Sequence, residues 1–327
     1  MNALSLALAL LPLALSGAPN QPRIERLDAG LDDLLDASAK VEVLADGFDW
    51  SEGPVWKGGE LLFSDVPQNT IFSWREGQSE AQVFQRPSGG REPTAQGSNG
   101  LALDAQGRLI LCQHGDRRVA MLVGEKWTGI AERFQGKRFN SPNDLCISSK
   151  GTIFFTDPPY GLKGAAPEMN EHGVYAVQPG GEVLRLISDL KWPNGIALSP
   201  DESKLYIAVS DREHPRVMVY ELKGSVGKSG GVDVPQAVNG REFFNAQPLK
   251  SQDRKGGCDG LKVDARGNVW TTGPGGVLVL STEGRHLGTI LTGQATANCA
   301  WGGSAKDALY ITADMHLMRV KTKTTGR

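Results

Sequence analysis

Six oxygen-bearing residues stand out by type and spacing: Glu52, Asn99, Asn143, Asn194, Asp259 and Asn298 each head an apolar segment, at intervals of 39 to 65 residues. None offers sulfur or imidazole. If the chain brings them to one place, they supply two carboxylates and four amides, a set of hard oxygen donors. Ca²⁺ prefers such a set, whereas Mg²⁺ asks for a tighter octahedron and Zn²⁺ for His or Cys. One divalent cation, Ca²⁺ with Mg²⁺, Mn²⁺ or Zn²⁺ as substitutes, is therefore the expected cofactor. A cation there could polarise the carbonyl of a small ester. Two carboxylates facing one another without a cation would raise each other's pKa, so the arrangement needs compensation. The competing expectation is that these residues only satisfy strand ends around a water-filled pore.

The elements that must position them repeat six times. The clearest copies run Asn99-Gly-Leu-Ala-Leu-Asp-Ala-Gln-Gly-Arg-Leu-Ile-Leu-Cys112, Asn143 to Thr156 and Asp259 to Thr272. Each reads as an apolar strand, a polar Gly-containing turn and a second apolar strand, a hairpin signal. Further copies start at Glu52, Asn194 and Asn298. A third strand follows each hairpin, for example Val217 to Tyr220, and a fourth is expected in the first five units, for example Val183 to Ile187. Periodicity of this length indicates an all-β, six-bladed β-propeller of four-stranded antiparallel blades. The sixth unit runs out of chain soon after Val320, and an unpaired edge is a liability. The N-terminal strand Val41 to Ala45 is expected to fill that gap and close the ring. Two packed sheets of similar strands would not account for the six-fold recurrence.

In a propeller the first strand of each blade lines the central channel, so the six heading residues should form a ring at equal depth. Strand two returns to the same face. Its closing residues Asp65, His114, Asp157, Asp211 and Asp314 should therefore surround the ring, although Asp at a strand end commonly caps the following turn. Asn99, Asn298, His114 and Asp157 are candidate substrate contacts. Longer loops at Pro158 to His172 and Pro87 to Gly97 can rim a pocket.

The bulk numbers fit this reading. Forty-one Gly and eighteen Pro are spread along 327 residues, as many short strands with tight turns require. The 35 basic and 37 acidic residues nearly cancel and no basic stripe is interleaved with aromatics, so nucleic acid is not an expected partner. Four Cys without a CxxC pair indicate neither a disulfide framework nor a zinc ribbon, although one pair could bridge in an oxidising compartment. Residues 1–18 read as a signal peptide, with an apolar run from Ala3 to Leu15 followed by Ser16, Gly17 and Ala18. The run carries no preceding Lys or Arg, and it is too short to span a bilayer comfortably. The expected organisation is a leader over 1–18, a segment over 19–40 and a propeller over 41–327. The expected location is periplasmic or extracellular, with no membrane partner after cleavage.

From Val41 to Val320 the chain resembles the senescence marker protein, gluconolactonase and luciferin-regenerating enzyme-like family. The marks are Ser51-Glu-Gly-Pro-Val-Trp56, Arg138-Phe-Asn-Ser-Pro-Asn-Asp144, Phe155-Thr-Asp-Pro-Pro-Tyr-Gly161, Trp192-Pro-Asn-Gly-Ile-Ala197 and Cys258-Asp-Gly-Leu261. The resemblance implies a six-bladed fold, a metal held by Glu52, Asn143, Asn194 and Asp259, and lactonase activity on a small sugar lactone or ester. It also implies that Arg138 contacts substrate. Asp259 is the expected catalytic residue, as a general base toward water or as a nucleophile. His114 is an alternative base. A non-catalytic propeller binding a sugar, peptide or protein, and a phosphotriesterase or aryl esterase using the same metal, are the rival functions. No Gly-x-Ser-x-Gly elbow supports serine chemistry.

Overall fold

The computed structural model describes residues 21–92, 95–226 and 233–326. The expected leader over 1–18 lies outside the described residues.

Alternating apolar residues and tight turns fold the chain into six antiparallel blades. Blade one is Ser51–Lys57, Glu60–Asp65, Thr70–Arg75 and Gln82–Gln85. Blade two is Ser98–Leu103, Leu109–Gln113, Arg118–Val123 and Lys126–Ala131. Blade three is Leu145–Ile147, Ile153–Asp157, Gly173–Val177 and Val183–Ile187. Blade four is Pro193–Leu198, Lys204–Val209, Arg216–Val226 and Asp233–Asn245. Blade five is Leu261–Val263, Val269–Gly273, Gly276–Leu280 and His286–Leu291. Blade six takes Asn298–Gly302, Ala308–Ala313 and His316–Lys321 from the C-terminal end of the chain.

The N-terminus supplies the missing strand. Glu42–Asp46 pairs antiparallel with His316–Lys321, with Glu42 opposite Arg319 and Asp46 opposite His316, so blade six is completed from the far end of the sequence. A second N-terminal strand, Arg23–Arg26, adds a fifth, outermost strand to blade five. That addition had no counterpart in the repeat pattern. Between these strands, Leu31, Leu34 and Leu35 pack with Trp270, Leu309 and Val320 into the seam between blades five and six. The other five blade seams are likewise filled by apolar clusters drawn from neighbouring blades. Non-directional burial holds the ring together, while sheet hydrogen bonds hold each blade. Cys112, Cys258 and Cys299 are buried free thiols. No helix among the described residues is long and apolar enough to cross a membrane.

The inner strands meet near the axis at very short range. Gly53 has φ +47°, and a Cβ there would lie 2.0 Å from the Asn99 carbonyl oxygen. A Cβ at Gly195 would lie 2.3 Å from the carbonyl oxygen of Asp259, to which the Gly195 N–H donates at 2.9 Å. The glycine that follows a ring residue thus allows one blade's backbone to bond directly to the next. Strand pairing also slips there, between Glu52 and Val55, between Ser98 and Leu101, and between Pro193 and Ile196. Such bulges re-aim the side chain at the strand start.

Candidate active site at the propeller axis

The axial starts of the inner strands open into a cavity of about 650 Å³ lined by Glu52, Asn99, His114, Asn143, Asn194 and Asp259. Tyr160, Trp50, Ser210, Asp211, Arg212 and Lys250 line it as well. Side-chain hydrogen bonds link the ring. Asn99 Nδ2 donates to Asn143 Oδ1 at 2.9 Å, Asn143 Nδ2 to Asn194 Oδ1 at 2.5 Å, and Asn194 Nδ2 to Ser210 Oγ at 3.1 Å. Ser210 Oγ in turn donates to the Cys258 carbonyl.

Electrostatically the floor is strained. Burial pushes the Glu52 carboxyl up, Asp144 pushes it further, and the Gly53 N–H at 2.9 Å and the Asn298 amide at 3.3 Å pull it back. Asp259 is raised well above the usual carboxylate range, first by burial and then by Glu52 and Asp144. Its Oδ1 is buried without a hydrogen-bond partner, as is Asn99 Oδ1. A buried acceptor without a donor costs free energy, and a cation is one way to satisfy it. Among the described residues no group of three or more His, Cys, Asp or Glu side chains converges on one point. The ring instead combines two carboxylates with amides. This all-oxygen donor set fits a hard divalent ion.

His114 Nε2 lies 3.1 Å from Asn143 Oδ1, which can only accept, so Nε2 carries the proton. Burial lowers the His114 pKa to about 4, and the ring is neutral at pH 7. It is therefore a fixed donor to Asn143, while its Nδ1 is buried without a partner.

The remaining expected contacts fall elsewhere. Asn298 lies below the cavity, donating to Glu52 and, at 3.2 Å, to Asp144, and accepting from Lys262 at 3.3 Å. Asp157 accepts the N–H groups of Asn140 at 2.7 Å and Ser141 at 2.8 Å, as strand-end carboxylates commonly do, and it does not line the cavity. Burial raises its pKa to about 7 against those two bonds. Replacing Asp157 by Ala strips both acceptors and should lower unfolding free energy by about 2–5 kcal/mol in urea titration. Arg138 lies outside this cavity: its guanidinium donates to the Asp116 carbonyl and it lines a separate depression with Arg91, Arg118 and Glu132.

Among the residues of the site that were not anticipated are Asp144, Lys262, Ser210 and Tyr160. Tyr160 belongs to a short turn clamped from below, where the Gly161 N–H donates to Ser141 Oγ at 2.8 Å and that hydroxyl donates to the Pro158 carbonyl at 2.5 Å. Its ring packs on Trp192 at 5.1 Å. Burial and Asp259 raise its phenol to about 12, leaving it a donor at neutral pH, near Ser210 and Asn194.

Residues 50–314 match the family model described as the SMP-30/Gluconolactonase/LRE-like region. The chain belongs to the SMP-30/gluconolactonase/LRE-like family. It is 37% identical over 322 residues to a gluconolactonase from Zymomonas mobilis, covering 93% of this chain and 87% of that one. A solved gluconolactonase from Xanthomonas campestris shares 31% identity with a TM-score of 0.78, covering 94% of this chain and 99% of that one. A regucalcin from Agrobacterium tumefaciens, solved as a calcium-binding protein, has the same fold at 18% identity and a TM-score of 0.68, covering 88% of this chain and 96% of that one. Membership of the SMP-30/gluconolactonase/LRE-like family, the propeller fold and these gluconolactonase relatives make the chain a hydrolase of the lactonase type.

Proposed function

We propose that this chain opens a small sugar lactone such as gluconolactone by attack of water, using a divalent cation held by Glu52, Asn143, Asn194 and Asp259. The observation that carries the reading is the convergence of these four side chains on one cavity with Asp259 Oδ1 buried and partnerless. Ca²⁺ suits the donor set best, since it takes six to eight oxygen ligands and four from protein leave room for water and substrate. When bound, such a cation would supply Lewis-acid polarisation of the carbonyl and neutralise charge developing on its oxygen.

The chain's own residues supply the rest. Asp259 lines the cavity with a carboxylate of two oxygens, so that one can face the cation while the other accepts the proton of the attacking water. Neutral His114 holds Asn143 by a hydrogen bond rather than exchanging protons at pH 7. Tyr160 and Trp50 bring aromatic walls to the cavity, which suit the C–H face of a sugar ring and exclude bulk water. The leader-like start at residues 1–18 supports export to a periplasmic or extracellular location, which N-terminal sequencing of the mature protein would test.

The deciding assay is hydrolysis of gluconolactone before and after chelation and after return of Ca²⁺, with an aryl ester and a phosphotriester run alongside. Turnover lost on chelation and regained with Ca²⁺ is expected for the lactone. A protein inert on a panel of lactones yet active on the phosphotriester would overturn the substrate class, and full activity in chelator would overturn the cation.

A further inference from the structure

The amides around the axis form a chain of one polarity, and its direction follows from one end. A backbone carbonyl can only accept, so the Ser210 hydroxyl spends its single proton on the Cys258 carbonyl. The Ser210 oxygen is then an acceptor, and Asn194 must turn its Nδ2 toward it, at 3.1 Å. Asn194 Oδ1 therefore faces Asn143 as an acceptor, which turns the Asn143 Nδ2 toward it, at 2.5 Å. Asn143 Oδ1 is left to accept from Asn99 Nδ2 at 2.9 Å and from His114 at 3.1 Å. The chain ends at Asn99 Oδ1, buried with no donor.

An asparagine side chain has nearly the same shape in its two amide orientations, and only its neighbours select between them. Here Asn194 meets three such neighbours: the Ser210 hydroxyl, the Asp259 carboxylate and the Tyr160 phenol, and of these only Ser210 ties it to the backbone of the next blade. We propose that Ser210 is a positioning residue for the cation site: its hydroxyl sets which atom of Asn194, and through it of Asn143, is the oxygen that a cation can use. The same hydroxyl ties the Asn194 side chain of blade four to the backbone just before Asp259 of blade five, and so fixes the spacing of two proposed ligands. Without it, Asn194 Nδ2 and the Cys258 carbonyl both lose a partner, and the preference between the two amide orientations weakens. An amide turned with its nitrogen inward would present N–H hydrogens to a cation in place of a lone pair.

The test compares Ser210→Ala with Ser210→Thr, which keeps the hydroxyl. With Ca²⁺ alone as titrant in calorimetry, affinity should fall about tenfold in the alanine variant and stay within about threefold of the parent in the threonine variant. A second measurement needs no cation. Hydrogen exchange of the Asn143 and Asn194 side-chain amides, followed by NMR in chelator, should be slow in the parent and in Ser210→Thr and fast in Ser210→Ala. Ser210→Cys, which keeps the shape with a much weaker donor, takes the place of alanine if that variant is unstable. The affinity arm rests on the cation reading proposed above, whereas the exchange arm does not. A parent that binds no Ca²⁺ but shows protected amides removes the cation and keeps the amide chain. Unchanged affinity, or unchanged amide exchange, in Ser210→Ala overturns the assignment of Ser210.

Discussion

Replacing Asp259 by Asn should lower kcat on a lactone by about 10³-fold while leaving the cation-free protein at least as stable as the parent. The two halves of the expectation have one origin. Asp259 is the carboxyl whose buried Oδ1 has no hydrogen-bond donor, and burial, Glu52 and Asp144 all oppose its ionisation. An amide of the same shape removes that repulsion, so folding gains or is unchanged. The same substitution removes the basic oxygen that takes the proton of water. Steady-state kinetics and a urea midpoint in chelator read the two effects separately. Activity retained above a tenth of the parent would exclude Asp259 as base and as nucleophile, and loss of activity in step with loss of stability would reduce it to a packing residue. Single turnover in isotopically labelled water then separates the two chemical roles, because a nucleophilic Asp259 would carry the label in its own side chain.

Much of this site was legible because the fold repeats. Polar residues at the head of each apolar unit predicted a ring, and Glu52, Asn99, Asn143, Asn194 and Asp259 do meet around one cavity. Closure of blade six by the strand at Glu42–Asp46 followed from a count of edges. What stayed hidden is what breaks the repeat. Four of the six ring residues are followed by Gly, but Asn143 is followed by Asp144, and that departure puts a third carboxylate below the cavity opposite Asn298 and Lys262. The Asn-Asp pair was the available signal. Lys262 interrupts a short apolar strand and was equally visible as an oddity without a partner. Ser210 had no such mark. Its role depends on the Cys258 carbonyl of another blade, a contact that only the three-dimensional register supplies. Arg138, named by its motif, lies outside that cavity for a related reason, since its long side chain reaches the Asp116 carbonyl, a contact the motif does not specify.

Ca²⁺ should stabilise the protein more at pH 8 than at pH 5, and in chelator the protein should lose stability as pH rises. Without a cation, Glu52 and Asp259 both titrate above the value of about 4 that carboxyls have in the unfolded chain. The folded state then holds protons that the unfolded state has released, so the stability these groups contribute is complete below about pH 4 and is lost as pH climbs through their folded values. A cation bound to the ionised pair cancels that loss, and at low pH it must first displace protons. At a thousandfold excess over Kd the gain is about 4 kcal/mol, or roughly 5–10 °C in Tm for a domain of this size. Asp157, raised to about 7 and outside the cavity, works in the same direction between about pH 4 and 7 whether or not Ca²⁺ is present. The informative quantity is therefore the difference between the melting curves with Ca²⁺ and with chelator at each pH. In Glu52→Gln that difference should shrink across the whole range, because one of the two carboxylates that hold the ion is gone. A difference that is the same at pH 5 and pH 8 would mean the ion stabilises the propeller from some place other than its axis.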